Sequence, residues 1–224
     1  MSSTSASTDP ASAQPDVDQA TETVNANLYL VLSRAFSSPA VMEQDDVARL
    51  RQLTPGLPAA LQEAARSLAN EWERGLTGRD ELALAYARLF LGPFEILASP
   101  YASFYLEPNQ RLMGEVSQSV AGFYVEAGLD PGPGPREAPD HVALEWEFMY
   151  FVTHQYLTTG EDHWIERRQA FAATHLARWI PSLAGAIKRA GQHAFYDALA
   201  VLLTSLPPLP PPGRILLAAV GPAS

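Results

Sequence analysis

The chain has 224 residues, of which 47% are apolar and 18% are charged. This length and balance are typical of a globular protein with one sizeable core. The formal net charge of −10 argues against a general affinity for nucleic acid or for an anionic membrane, since both favour basic surfaces. The absence of cysteine excludes disulfides, thiolate metal sites and a thiol nucleophile.

Residues 1–23 are rich in Ser, Thr, Ala, Asp and Gln, and they bury too little apolar surface to offset the entropy of ordering. We therefore expect a disordered N-terminal tail. The tail lacks the basic and then apolar order of a secretory signal, and no apolar run approaches the ~20 residues of a membrane-spanning helix. We expect a cytoplasmic protein without an integral membrane segment.

Apolar residues at helical spacing follow the tail, and no stretch alternates as a strand would. In chain order they predict helices over residues 24–36, 43–53, 57–76, 81–91, 111–127, 139–157, 164–190 and 193–206. A bend is expected at Pro181 in the seventh of these. The predicted fold is all-α, a single globular domain of about seven or eight helices over residues 24–206. A Pro-rich C-terminal tail, 207–224, follows it.

Two connections between the helices are unusual. Residues 93–108 form a predicted loop that is aromatic rather than polar, and long loops in compact domains often carry function. The linker DPGPGP, residues 130–135, contains glycines, but its prolines lack the backbone N–H donors that an anion needs. The sequence therefore does not support a phosphate or nucleotide site.

The segment Pro139-Asp140-His141 begins the most apolar predicted helix. An Asp-His pair can bind a metal, relay a proton or bind a peptide, and Asp in a first helical turn also favours the helix dipole without any ligand. The five histidines include no His-x-x-x-His pair, and further metal ligands are not apparent. A helical metal-dependent hydrolase using Asp140 and His141 stays as the alternative from another class.

The middle of the chain is acidic. Nine acidic residues stand against two arginines between Glu95 and Glu147. A cationic and apolar partner suits such a surface, although a solvated acidic face gives the same pattern. Together with the aromatic loop, this favours a groove that binds a peptide.

Five segments resemble a known family in their order and spacing. They are YARLFLGP (86–93), SPYASFYLE (99–107), EAPDHVALEWEFM (137–149), FAATHLARWIPSL (171–183) and AFYDALAVLL (194–203). The pattern resembles the TorD/DmsD/NarJ family of molybdoenzyme-specific chaperones, also called redox enzyme maturation proteins. The resemblance covers residues 25–206.

The resemblance implies an all-helical fold without catalytic activity or a cofactor of its own. Such proteins bind the twin-arginine signal peptide, or another N-terminal segment, of a molybdopterin oxidoreductase catalytic subunit and hold it for cofactor insertion. In relatives the site involves a Leu-Phe pair, a loop aromatic residue, a glycine after the loop and the Asp-His pair. With the nearby Glu137 added, the predicted peptide-binding residues are Leu89, Phe90, Tyr101, Gly114, Glu137, Asp140 and His141.

Each of these residues has an expected role. Asp140 and Glu137 would accept charge-assisted hydrogen bonds from the paired guanidinium groups. The apolar part of the peptide would contact Leu89, Phe90 and Tyr101, and His141 would orient a carboxylate. The helical spacing of Leu89 and Phe90 is equally typical of core residues. A structural delta-type subunit is a further alternative, and the protein is expected as a monomer or a helix-swapped dimer, because relatives exchange helices.

Overall fold

The computed structural model describes residues 15–92, 95–110, 113–129 and 137–207. Within these ranges the chain is helical, as predicted, and its only extended pairing is the isolated bridge between Tyr101 and His141. The α-helices are α1 (Pro15–Ala35), α2 (Gln44–Leu53), α3 (Ala59–Thr77), α4 (Arg79–Tyr86), α5 (Ala102–Leu106), α6 (Glu115–Glu126), α7 (Val142–Thr159), α8 (His163–Phe171), α9 (Ala177–Ala190) and α10 (Ala194–Ser205).

The irregular turns fall between these helices. Short 3₁₀ turns occupy Pro39–Val41, Thr54–Gly56 and Pro108–Gln110, and π-helical turns occupy Ala87–Leu91 and Ala172–Leu176. None of the helices in the described ranges is both long and apolar enough to cross a membrane.

The packing interleaves the two ends of the chain. Helix α1 lies along α7, and α10 packs against both α3 and α9. Large aromatic side chains fill the core: Tyr29 stacks on Trp146 between α1 and α7, and Trp72 meets Phe195 edge to face between α3 and α10. The helices that precede and follow the linker at 130–136 therefore share one core.

Helix α1 begins at Pro15, so the prediction of a disordered tail through residue 23 is wrong for residues 15–23. Proline at the first helical position and acidic residues in the first turn are strong start signals, and the composition of the tail concealed them. Glu22 makes an ion pair with Arg168 of α8, with 2.8 Å between Oε1 and Nη2. Residues 1–14, the linker at 130–135 and all but the first residue of the predicted C-terminal tail lie outside the described residues.

Two further predicted boundaries differ from the structure. The predicted loop at 93–108 contains the short helix α5, and the predicted helix at 164–190 is divided into α8 and α9 by the turn Ala172–Leu176. Pro181 lies inside α9. Pro181 cannot donate a hydrogen bond to the carbonyl of Ala177, so this one bond is missing from α9.

A buried polar cluster joins α7 to α9. The carboxylate of Glu145, which is fully buried, lies 2.6 Å from His175 Nε2 and accepts a hydrogen bond of 3.0 Å from Trp179 Nε1. Burial raises the pKa of Glu145 to about 7, although its two hydrogen-bonded partners oppose the shift. The cluster fixes α7, whose first turn lies at the candidate site.

Candidate functional site

The aromatic loop is paired to the start of α7 by backbone hydrogen bonds. Ala102 N–H donates to the carbonyl of Asp140 at 3.0 Å, and Val142 N–H donates to the carbonyl of Pro100 at 2.8 Å. These two bonds form the antiparallel bridge between Tyr101 and His141, whose ring centroids are 5.2 Å apart. Two residues that are forty positions apart in the predicted site are therefore neighbours.

The buried side chain of Asp140 connects the start of α7 to α5 and α6. Its carboxylate is 0% exposed and accepts hydrogen bonds from the backbone N–H of Ser103 at 2.8 Å and from Ser117 Oγ at 2.5 Å. The charge is satisfied by donors from α5 and α6, as a buried carboxylate requires. In this arrangement a direct contact between Asp140 and an arginine of a ligand, the role expected from the sequence, is not available.

His141 caps α7. Its Nδ1 accepts a hydrogen bond from Ala143 N–H at 3.2 Å, so this nitrogen carries no proton. Burial lowers the pKa of His141, while the charges of Glu137 and Asp140 oppose that shift. The side chain is buried and neutral at physiological pH, and the cap positions the start of the helix.

Glu137 and Tyr101 are the predicted site residues that reach solvent. The phenol of Tyr101 donates a hydrogen bond of 2.5 Å to Glu137 Oε1, and Glu137 is exposed. Burial and this carboxylate both raise the pKa of Tyr101, so the phenol stays protonated. We name these two residues the acid–phenol pair.

Tyr86, the last residue of α4, is half-buried and was not among the predicted site residues. Burial and then the charge of Glu137 raise the pKa of Tyr86. Its ring contacts Phe90 edge to face, with centroids 5.2 Å apart. The residue is the first of the segment YARLFLGP, but nothing in that pattern distinguishes a surface tyrosine from a core one.

Leu89 and Phe90 are core residues in the structure. Both are buried in the π-helical turn, where Phe90 contacts Phe36 and Tyr196. The carbonyl of Leu89 accepts a hydrogen bond of 2.9 Å from Ala98 N–H. The pair therefore fixes the base of the loop.

Exposed apolar side chains emerge beside this base. Leu91 is 61% exposed and Leu97 is also exposed. Between them, Gly92 has φ +39° and leaves no room for a Cβ beside the carbonyl of Glu95. Both leucines therefore expose apolar surface on the segment of the chain that precedes Tyr101.

Gly114 has a local structural role. It precedes α6, and a Cβ placed there would lie 2.6 Å from Glu107 Oε1. That oxygen accepts a hydrogen bond of 2.7 Å from Val116 N–H in the first turn of α6. The missing side chain of Gly114 thus allows Glu107 to cap the helix.

The described residues contain no group of three or more His, Cys, Asp or Glu side chains arranged to bind a metal ion. The side chains of Asp140 and His141 are both committed to internal hydrogen bonds. Neither is available in this arrangement to activate a water molecule for hydrolysis. A cleft of about 330 Å³ between α2 and α3 lies elsewhere, at Arg51, Arg66 and Asn70.

The comparison with known proteins agrees with this architecture. The family model described as the nitrate reductase delta subunit matches residues 54–185, more than half of the chain. The chaperone protein TorD of Psychrobacter sp. is 30% identical over 179 residues, which cover 74% of this chain and 80% of that protein. The chain belongs to the TorD/NarJ family.

Other similar proteins extend the comparison. The chaperone protein TorD of Vibrio vulnificus is 26% identical over 192 residues, which cover 80% of this chain and 89% of that protein. A solved structure described as a redox enzyme maturation protein from Archaeoglobus fulgidus has a TM-score of 0.48 and 19% identity, and covers 79% of this chain and 91% of that chain. Family membership confirms the resemblance stated from the five segments and makes the chain a chaperone for molybdoenzyme maturation.

Proposed function

We propose that the chain binds the twin-arginine signal peptide, or an equivalent N-terminal segment, of a molybdopterin oxidoreductase catalytic subunit. It holds this client in the cytoplasm for cofactor insertion, without catalysing a reaction. The observation that carries the proposal is the exposed acid–phenol pair of Tyr101 and Glu137, which lies beside the buried carboxylate of Asp140 and its two hydrogen-bond donors.

The acid–phenol pair suits a guanidinium group. The phenol occupies Glu137 Oε1, and the second carboxylate oxygen has no partner among the described residues. A guanidinium at that oxygen would make a charge-assisted hydrogen bond and lie beside the ring of Tyr101. Leu91 and Leu97 offer apolar contacts for the residues that follow the arginines.

Calorimetry with a synthetic peptide tests the proposal. The peptide carries two adjacent arginines followed by apolar residues, and its control carries two lysines instead. Glu137→Gln is expected to weaken binding of the arginine peptide by about 1–2 kcal/mol, because a charge-assisted hydrogen bond is lost. Glu147→Gln, which removes the same charge from an exposed position on α7, is the matched control and should change little.

Two results would contradict this assignment. Equal affinity for the arginine and lysine peptides would argue against recognition of the guanidinium group. An equal loss of affinity in the Glu137 and Glu147 variants would indicate a general effect of net charge.

A structural delta-type subunit is the second candidate, favoured by the description of the matching family model. Such a subunit remains with the mature enzyme, whereas a chaperone dissociates after cofactor insertion. Size-exclusion chromatography of the mature client from native cells distinguishes the two. The same experiment on the isolated chain distinguishes a monomer from a helix-swapped dimer.

A further inference from the structure

Three segments of the chain converge on one buried carboxylate. Asp140 directly precedes α7, the Ser103 backbone N–H lies in the first turn of α5, and the Ser117 hydroxyl lies in the first turn of α6. Ser117, Ser103 and Asp140 are all buried. We name this group the clasp.

We propose that Ser117 and Asp140 are positioning residues that set the geometry of the acid–phenol pair without touching the ligand. This inference rests on the proposed function, since it assigns how the same site is held ready for a peptide. It assigns a role to Ser117, which the sequence analysis did not select.

The position of the clasp in the chain carries the inference. Tyr101 is two residues before Ser103, and Glu137 is three residues before Asp140. The hydrogen bond between Asp140 and Ser103 therefore connects the two segments that carry the acid–phenol pair. Ser117 fixes the other oxygen of the same carboxylate, so its hydroxyl determines how Asp140 is oriented.

Burial explains why the contribution of Ser117 is large. A fully buried carboxylate that loses a donor must rotate toward another donor or bring in water. Rotation of Asp140 moves its bond to Ser103, and with it the start of α5 and the phenol of Tyr101. When the phenol of Tyr101 moves in this way, affinity for the ligand falls, although neither Ser117 nor Asp140 contacts the ligand.

The experiment compares Ser117→Ala with Ser117→Thr, which retains the hydroxyl. Affinity for the twin-arginine peptide is measured by calorimetry, and hydrogen exchange is measured at the amide of Ser103. Ser117→Ala is expected to weaken binding about fivefold or more and to accelerate exchange, while Ser117→Thr restores both. Ser33→Ala, a buried serine in α1, is the control and should alter neither.

A second variant provides an independent check. Asp140→Asn keeps the side-chain volume and weakens the same hydrogen bonds, so it should act on both readouts in the same direction as Ser117→Ala. The double variant should show less than the sum of the two single losses, because both remove one interaction. If Ser117→Ala fails to fold, Asp140→Asn decides the question with the same two readouts.

The outcomes separate the inference from the function on which it rests. Faster exchange with unchanged affinity makes the clasp a stability feature only, and overturns the inference. Weaker binding with unchanged exchange indicates that Ser117 contacts the peptide itself, and also overturns it. If the unaltered protein does not bind the peptide at all, the proposed function fails, and the positioning role fails with it.

Discussion

Three glutamates near the site show how strongly burial decides the role of one residue type. Glu107 caps α6, Glu137 faces solvent beside Tyr101, and Glu145 is enclosed with His175 and Trp179. All three belong to the acidic run that the sequence analysis counted as one surface. Among these three, only Glu137 offers its charge directly to a partner. The count of nine acidic residues between Glu95 and Glu147 therefore overstates the acidity of the surface.

Substitution at Gly114 tests a role that differs from the one implied by the resemblance. Gly114→Ala is expected to destabilise the fold by about 1–2 kcal/mol, because the new Cβ displaces Glu107 from the start of α6. Denaturant unfolding measures the change. Gly122→Ala is the control, since no atom lies within 4 Å of its Cβ position and alanine favours a helix interior. Unchanged stability with weaker peptide binding would instead support direct contact at Gly114.

The pH dependence of stability tests the environment of Glu145. Its pKa is raised from 4.5 to about 7 in the folded protein, so its contribution is fully present below pH 4.5 and is lost as the pH rises through 7. The free energy of unfolding should therefore fall between pH 5 and pH 8, and in Glu145→Gln this fall should be smaller by about 1–3 kcal/mol. Urea unfolding across this range measures it.

The control for this measurement lies on the same helix. Glu147→Gln changes an exposed glutamate and should leave the slope of the profile unaltered. Parallel profiles for the unaltered protein and Glu145→Gln would show that the buried carboxylate does not titrate in this range.

At the scale of single elements, the two π-helical turns define the main departures from regular structure. Both interrupt runs of residues whose apolar spacing is helical throughout, so a 3.6-residue period predicts one continuous helix in each case. The turn Ala87–Leu91 places Leu89 and Phe90 in the core, and the turn Ala172–Leu176 contains His175 of the buried cluster. Irregular turns of this kind often accompany functional positions.

The N-terminal half of α1 is held by the ion pair of Glu22 and Arg168. Burial opposes ionisation of Glu22, but the hydrogen bond and charge of Arg168 outweigh it and lower the pKa of Glu22. Glu22→Gln is expected to destabilise the fold by about 2–4 kcal/mol at neutral pH, because Arg168 stays buried without a counter-charge. This contribution is present above the unfolded pKa of Glu22 and is lost as the pH falls.

Thermal and urea unfolding of Glu22→Gln and three further variants measure the effect. Deleting residues 1–23 should reproduce the loss in Glu22→Gln, whereas deleting residues 1–14 keeps the pair. Glu63→Gln breaks an exposed pair with Arg66 and should cost less than about 1 kcal/mol. If deletion of residues 1–23 leaves stability unchanged, α1 is not anchored by this pair.

At the scale of the whole molecule, the fold class and the order of the helices followed from periodicity and from turn residues. The family was predicted from five segments whose order and spacing resemble those of the TorD/NarJ family. The roles of the site residues did not follow, because they depend on contacts between distant positions. The bonds of Asp140 to Ser103 and Ser117, and of Tyr101 to Glu137, join residues that no local pattern relates.

Contacts between distant positions also explain why Tyr86 was not predicted as a site residue and why the first helix was predicted to begin at residue 24 instead of Pro15. The pKa of Tyr86 is raised in part by Glu137, which is far away in the chain, and Glu22 is fixed by an arginine in the eighth helix. Composition favoured disorder for residues 15–23, but a single long-range ion pair and the packing of α1 along α7 stabilise the helix.

The burial of Asp140 bears on attempts to retarget such a chaperone to a new client. If Asp140 is the positioning residue proposed above, a substitution there weakens the binding of every leader sequence alike, and so it cannot reveal which leaders are preferred. Libraries for altered client choice should vary the solvent-facing groups at Tyr101, Glu137, Leu91 and Leu97. If the clasp is left unchanged, a change in client preference can be attributed to these solvent-facing groups and not to altered geometry of the acid–phenol pair.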